Sequence, residues 1–183
     1  MKLIDTPIKG LRILEPVVLN DNRGSFTKIF NMDFFRDNLI DFEIKESFFN
    51  VSNKDVIRGM HFQLPPFEHD KVVYVPKGKV LDVVLDLRKG SSTYGKYYSM
   101  ELSSLNSKVL IIPKGLAHGF KSLEDNTCVV YLQSSCYNIS CDKAIKYDSF
   151  GFDWNCLNPI LSQRDLISDN FDDFDSPFLY KEI

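Results

Sequence analysis

Five short runs of β-branched and aromatic residues limit what this chain can fold into: 71–75 (KVVYV), 79–87 (KVLDVVLDL), 97–102 (YYSMEL), 108–112 (KVLII) and 127–133 (TCVVYLQ). Gly, Pro, Ser and Asn clusters separate them, and short strands at such regular spacing point to an all-β sandwich, barrel or jelly roll. Within 80–87 the two-residue period puts Leu81, Val83, Leu85 and Leu87 on one face and Val80, Asp82, Val84 and Asp86 on the other. One face is wholly apolar and the other carries two carboxylates. Helical spacing of Phe34, Phe35, Asn38 and Leu39 predicts one accessory helix over 32–40. The 183 residues suit a single domain, 1–183, with no internal repeat. After Asp165 the acidic stretch LISDNFDDFDSPF has little periodicity, so this tail is expected to run over the surface.

Charge and hydropathy remove several function classes. Twenty-two basic residues against 25 acidic ones leave no broad positive surface for a nucleic acid, so any bound anion must meet a local cluster. No apolar run approaches the roughly 20 residues that a membrane-crossing helix needs. Met1-Lys2-Leu3-Ile4-Asp5 does not open a secretory signal, so a cytoplasmic location is expected. Cys128, Cys136, Cys141 and Cys156 lack paired C-x-x-C spacing and read as reduced, mostly packing residues.

The three histidines are weighed singly. His61 follows Arg58 by three residues and precedes Lys71 by ten, the surroundings of a base that works on an anionic substrate. Imidazole titrates near neutrality and suits proton transfer. His118 closes the run Pro113-x-Gly115-x-x-His118. That run resembles the second motif of the cupins, small double-stranded β-helix jelly rolls. Metal-binding cupins carry an H-x-H pair in their first motif, whereas this chain reads His61-Phe62-Gln63. His69 would be needed to complete a three-histidine site, and its spacing does not match the motif. No metal and no cofactor are expected.

Five stretches, in order, resemble the dTDP-4-dehydrorhamnose 3,5-epimerase family: Asp21–Phe26, Ile57–Gln63, Lys79–Arg88, Ser92–Lys96 and Ile112–Phe120. The resemblance spans roughly residues 10–165 and implies a cupin jelly roll with a C-terminal extension. It also implies cofactor-free epimerisation at C3, C5 or both of a nucleotide-diphospho-4-keto sugar. The ketone acidifies the flanking C–H bonds, so the reaction needs a base, an acid on the opposite face and a cation near the enolate oxygen. By family motif these roles fall on His61 as base, Asp165 as its orienting carboxylate, Lys71 as the cation and Tyr131 as the acid. Arg23 and Arg58 match family arginines near the diphosphate, and guanidinium binds such groups bidentately. Phe26, Lys28, Glu46, Phe48, Gln63, His118 and Tyr137 complete the implied substrate-binding set, with Asp82 a further pocket candidate. Family members are homodimers that exchange N-terminal β structure.

The chain departs from the family where thymine is contacted. Lys28 replaces a glutamate in Arg23-Gly24-Ser25-Phe26-Thr27-Lys28, and Glu46-Ser47-Phe48-Phe49-Asn50 replaces the usual Gln-Asp-Asn-His-Ser. An ammonium cannot accept the thymine imide N–H. Glu46 could accept from guanine and Phe48 could stack on a purine, which favours a GDP-linked sugar, hexose or heptose, of the kind used for bacterial surface polysaccharide. A 3,4-ketoisomerase, a silent sugar-binding cupin and a metal cupin dioxygenase are the competing readings.

Overall fold

The structure, a computed structural model, describes residues 1–181. In chain order the strands are β1 (Lys2–Asp5), β2 (Arg12–Glu15), β3 (Val17–Asp21), β4 (Gly24–Lys28), β5 (Glu46–Ser52), β6 (Ile57–Gln63) and β7 (Lys71–Lys77). They continue with β8 (Lys79–Asp86), β9 (Tyr97–Ser103), β10 (Val109–Ile112), β11 (Leu116–Ser122), β12 (Thr127–Gln133) and β13 (Asp142–Ala144). Helices are short: α1 (Met32–Asp37) and α2 (Gln163–Leu166). Strand pairing gives a six-stranded sheet, β1-β2-β10-β7-β12-β5, a five-stranded sheet, β13-β6-β11-β8-β9, and a separate β3-β4 hairpin. All ladders between these strands are antiparallel. This is the expected two-sheet, cupin-like jelly roll, and no helix among the described residues is long and apolar enough to cross a membrane.

Three apolar clusters hold the layers. Val73 and Val75 of one sheet meet Val80, Val84, Leu102 and Phe120 of the other between the sheets. On the outer face of the six-stranded sheet, Phe35 and Phe42 cover Leu14, Val72, Val109 and Ile111. Asn31 caps α1 by accepting the Phe34 N–H at 2.8 Å, and this fixes the angle at which Phe35 enters that cluster. The helix stops at Asp37, short of the predicted residue 40. Leu39 adopts a positive φ of 58° and is 93% exposed, so it plays no part in the packing face.

The expected surface tail does run over the outside of the molecule with most of its residues exposed, and the third cluster anchors it there. Leu81, Val83, Leu85 and Leu87 form the outer face of the five-stranded sheet, and Phe150, Trp154, Phe171, Phe174 and Phe178 pack over it. An apolar sheet face of that size must be covered, and the C-terminal third of the chain is what covers it. Single aromatic residues rather than a periodic run do this, which is why no pattern showed in the sequence. Polar clamps hold the segment down. Ser176 donates to the Leu87 carbonyl at 2.5 Å, and the buried Lys121 ammonium donates to the carbonyls of Trp154 and Asn155. All four cysteines are free, and Cys136 is exposed rather than packed.

Candidate active site

The site is built on a register shift between β6 and β11. His61 pairs with His118 and Arg58 with Phe120, so Gly59 and Met60 together oppose Gly119 alone. Strict alternation would turn Arg58 and His61 to opposite faces. The extra residue of this bulge restores the phase, so that both line one cavity while Ile57, Met60 and Phe62 join the outer cluster. The two glycines are required. Gly59 has φ +141° and a Cβ there would lie 2.5 Å from Gly119 Cα, while a Cβ on Gly119 would lie 2.7 Å from the Met60 sulfur.

The cavity, about 410 Å³, lies between the sheets and is lined by Glu46, Phe48, Arg58, His61, Gln63, Lys71, His118, Tyr131 and Tyr137 among others. His61 enters from the five-stranded sheet, and Lys71 and Tyr131 from the six-stranded sheet. Helix α2 brings Asp165 up from behind, and the carboxylate is only 3% exposed. Ser162 caps this helix by accepting the Asp165 N–H at 3.2 Å. His61 Nε2–H donates to Asp165 Oδ1 at 2.6 Å. That bond fixes the tautomer with Nδ1 unprotonated. Burial pulls the imidazole below its ordinary range, and the Asp165 carboxylate opposes that fall.

Lys71 is buried, and its Nζ donates to the His61 carbonyl at 2.9 Å. Burial draws its ammonium down to about 8, against the pull of the Asp142 and Asp82 carboxylates. Tyr131 stacks on Phe48 with ring centroids 4.7 Å apart and lies edge-on to His118 at 5.8 Å. Burial, and then the Asp82 charge, push its phenol above the ordinary tyrosine range, so it carries its proton throughout the neutral region. Together these groups can remove a proton at Nδ1 of His61, hold an anionic oxygen beside Lys71 and deliver a proton from Tyr131 across the cavity.

Other expected residues are placed differently. His118 lines the cavity, and its Nε2 meets Asp82 at 2.8 Å. Asp82 is fully buried behind it and is not part of the wall, which corrects its reading as a pocket residue. The Gln63 side chain is occupied by protein partners: its amide donates to the carbonyls of Phe67 and Cys136, and its oxygen accepts the Asn138 N–H. Glu46 Oε2 accepts the Tyr137 N–H at 2.5 Å and so ties down the loop that carries Tyr137. Arg23, Phe26 and Lys28 sit on or beside the β3-β4 hairpin, exposed on strands outside both large sheets, and do not line this cavity. His61, His69 and His118 have separate partners, and no group of three metal-ligating side chains converges among the described residues.

Asn50, His69, Gln133, Asp142 and Arg164 also line the cavity. Alternation finds two of them, since Asn50 shares a face with Phe48 and Gln133 with Tyr131. His69 and Arg164 lie outside the strands, where no period operates, and Asp142 begins a three-residue strand too short to show one.

Comparison with known proteins identifies the family of the chain. Residues 5–173 match the family model of dTDP-4-dehydrorhamnose 3,5-epimerase. The dTDP-4-dehydrorhamnose 3,5-epimerase of Shigella flexneri is 36% identical over 178 residues, covering 96% of this chain and 98% of that one. The epimerase of Legionella pneumophila, solved in complex with dTDP-4-keto-L-rhamnose, superposes with a TM-score of 0.94 at 31% identity over 99% of both chains. The Bacillus anthracis enzyme, solved with TDP and PPi bound, gives a TM-score of 0.90 at 32% identity over 92% of this chain and 98% of that one. With the family model matching residues 5–173 of the chain and full-length relatives above 30% identity, the chain belongs to the dTDP-4-dehydrorhamnose 3,5-epimerase family.

Proposed function

We propose that this protein is a cofactor-free epimerase that inverts C3, C5 or both in a nucleotide-diphospho-4-keto sugar. The supporting observation is the approach of His61, backed by Asp165, and of Tyr131 from opposite sheets to one cavity, with Lys71 bonded beside His61. In this reading Nδ1 of His61 removes the proton α to the ketone, and Asp165 stabilises the resulting imidazolium. Lys71 stabilises the enolate oxygen, and Tyr131 returns a proton to the opposite face. Arg58, whose Nε donates to Ser52 at 3.1 Å, keeps the rest of its guanidinium for a phosphate.

The same proposal extends to the base and to the assembly. Lys28 cannot accept from thymine, Glu46 keeps one carboxylate oxygen free, and Phe48 is 41% exposed beyond its contact with Tyr131. These features favour GDP over dTDP as the carrier. Exposed Leu19 and Phe26 on the hairpin, and exposed Phe49 and Val51 on the edge strand β5, are apolar surfaces that a second copy would cover. In a homodimer with exchanged N-terminal β structure, Arg23, Phe26 and Lys28 would complete the partner's cavity.

Proton NMR in D₂O of GDP- and dTDP-linked 4-keto sugars with the enzyme tests the reaction. Deuterium should enter at C3 or C5 with wild type and not with His61→Ala, and retained exchange in that variant removes His61 as the base. Faster exchange with the dTDP sugar would overturn the base assignment alone. Mixing Arg23→Ala with His61→Ala protein should restore activity if sites are shared across a dimer, because one of the two sites then carries neither change.

A further inference from the structure

Asp165 owes its place to a short helix that has little of its own to hold it. Helix α2 buries no side chain but that of Asp165, and the next two residues, Leu166 and Ile167, are 48% and 73% exposed. Main-chain bonds pin the chain on either side. Ile160 donates to the Asp55 carbonyl and accepts from the Ile57 N–H, and the Asp169 carbonyl accepts the Lys146 N–H at 2.8 Å. Between these two anchors, residues 161–168 send hydrogen bonds to the rest of the described chain from two side chains alone. Asp165 meets His61, and Arg164 Nη2 donates to Asp142 Oδ1 at 2.7 Å, with the Lys143 carbonyl beside it at 3.5 Å. Asp142 opens β13, which pairs with β6 and sets Ala144 opposite His61. The Arg164–Asp142 bridge therefore ties α2 to the strand beside the one that carries the base.

We propose that Arg164 is a positioning residue, which through its bridge to Asp142 holds Asp165 against His61. The inference rests on the reading of His61 as the base. Such a hold is needed because the placement of Asp165 is unfavourable by itself. Its carboxylate is 3% exposed, and while His61 is uncharged the bond between them offsets little of the lost hydration. A carboxylate in that position gains by swinging out to water, and the exposed Leu166 and Ile167 do not stop it. Asp142 is 14% exposed and Arg164 46%, so the bridge is shielded on the acid's side and outweighs a pair open to solvent on both. The charges around His61 make the hold measurable. Asp165 and Arg164 come from α2, Asp142 from β13, Lys71 from β7 and the partner in register, His118, from β11, while Arg58 shares the strand of His61. Burial lowers the imidazole most, Asp165 opposes it by its bond and its charge, and Arg164 and Lys71 add to the fall. Release of Asp165 and simple loss of the Arg164 charge thus move His61 in opposite directions.

The test titrates His61 itself and needs no turnover. NMR of protein labelled at histidine gives three imidazole titrations, and the one missing from His61→Ala belongs to His61. Asp142→Ala keeps the Arg164 charge, removes its anchor, and should lower the His61 pKa by about one pH unit. Arg164→Met should lower it too, since the bond and charge of Asp165 outweigh the charge of Arg164. The contact uses one guanidinium nitrogen, so Arg164→Lys can keep it and should titrate close to wild type. In deuterium exchange at C3 or C5, Asp142→Ala and Arg164→Met should lose about 10- to 100-fold in kcat at a pH above the titration, and Arg164→Lys should keep most of it. An unmoved pKa in Asp142→Ala, a raised one in Arg164→Met, a value in Arg164→Lys as low as in Arg164→Met, or an unchanged kcat in the first two overturns the proposal. If wild type exchanges no 4-keto sugar, the epimerase reading fails separately, and the titration still decides whether Arg164 holds Asp165.

Discussion

Replacing Asp165 with asparagine tests the reasoning about the base most directly. The amide oxygen can still accept from His61 Nε2–H, so the 2.6 Å bond survives in form while the negative charge is lost. What disappears is the attraction between the carboxylate and the imidazolium formed as the proton leaves the sugar. Two unit charges about 4 Å apart at an effective dielectric near 20 attract by about 4 kcal/mol. The carboxylate is 3% exposed but the His61 side chain is 30% exposed, so solvent reduces this to about 2–4 kcal/mol, or roughly 30- to 1,000-fold in rate. The assay is the initial rate of deuterium incorporation across a pH series. His61 must be neutral to act, so wild-type exchange rises as pH climbs through the imidazole pKa, which burial has lowered and Asp165 holds up. Removing the carboxylate leaves burial unopposed, and the acid limb must move to lower pH. A loss below tenfold, or a limb that stays in place, would refute the assignment of Asp165 as the group that stabilises the imidazolium.

Three further outcomes are expected. Lys71→Met should abolish exchange yet stabilise the protein. The lysine falls from 10.5 to about 8 on folding, so the unfolded chain binds more protons between those values, and wild-type stability rises with pH across that window. At neutral pH this burial costs roughly 3 kcal/mol at 1.36 kcal/mol per pKa unit, and chemical denaturation should show the variant more stable by about 1–3 kcal/mol once the lost bond to the His61 carbonyl is deducted. Tyr131→Phe should spare deuterium exchange more than net inversion, and equal loss of both by NMR would contradict its role as the acid on the second face. Gly59→Ala should cost about 2–4 kcal/mol and depress kcat, because its Cβ would meet Gly119 Cα at 2.5 Å. A thermal melt that matches wild type would show the close approach to be dispensable.

Much of this architecture was legible along the chain. The five runs became β7, β8, β9, β10 and β12 to within about two residues at each end, because a strand with one face between two sheets carries a period of two and a turn at each end. Strands β6 and β11 were legible as motifs but not as strands. The bulge breaks the alternation of β6, and every residue of β11 is buried, which leaves no polar face to alternate with. The predicted helix ran too long because apolar spacing continued past the Leu39 turn.

The site divides along the same line. Its chemical residues, His61, Lys71, Tyr131 and Asp165, are readable from motif, since reaction chemistry restricts residue type. The sequence by itself also determined the all-β class, because alternation and turn chemistry are local properties. Tertiary structure alone decided that residues 104 positions apart meet as a dyad, that an acidic tail covers a sheet face, that Asp82 stands behind His118, and that Arg164 bridges α2 to β13. These outcomes depend on long-range register, burial and the satisfaction of polar atoms. No local pattern encodes such quantities, because they exist only once the two sheets and the segment that covers them are packed together.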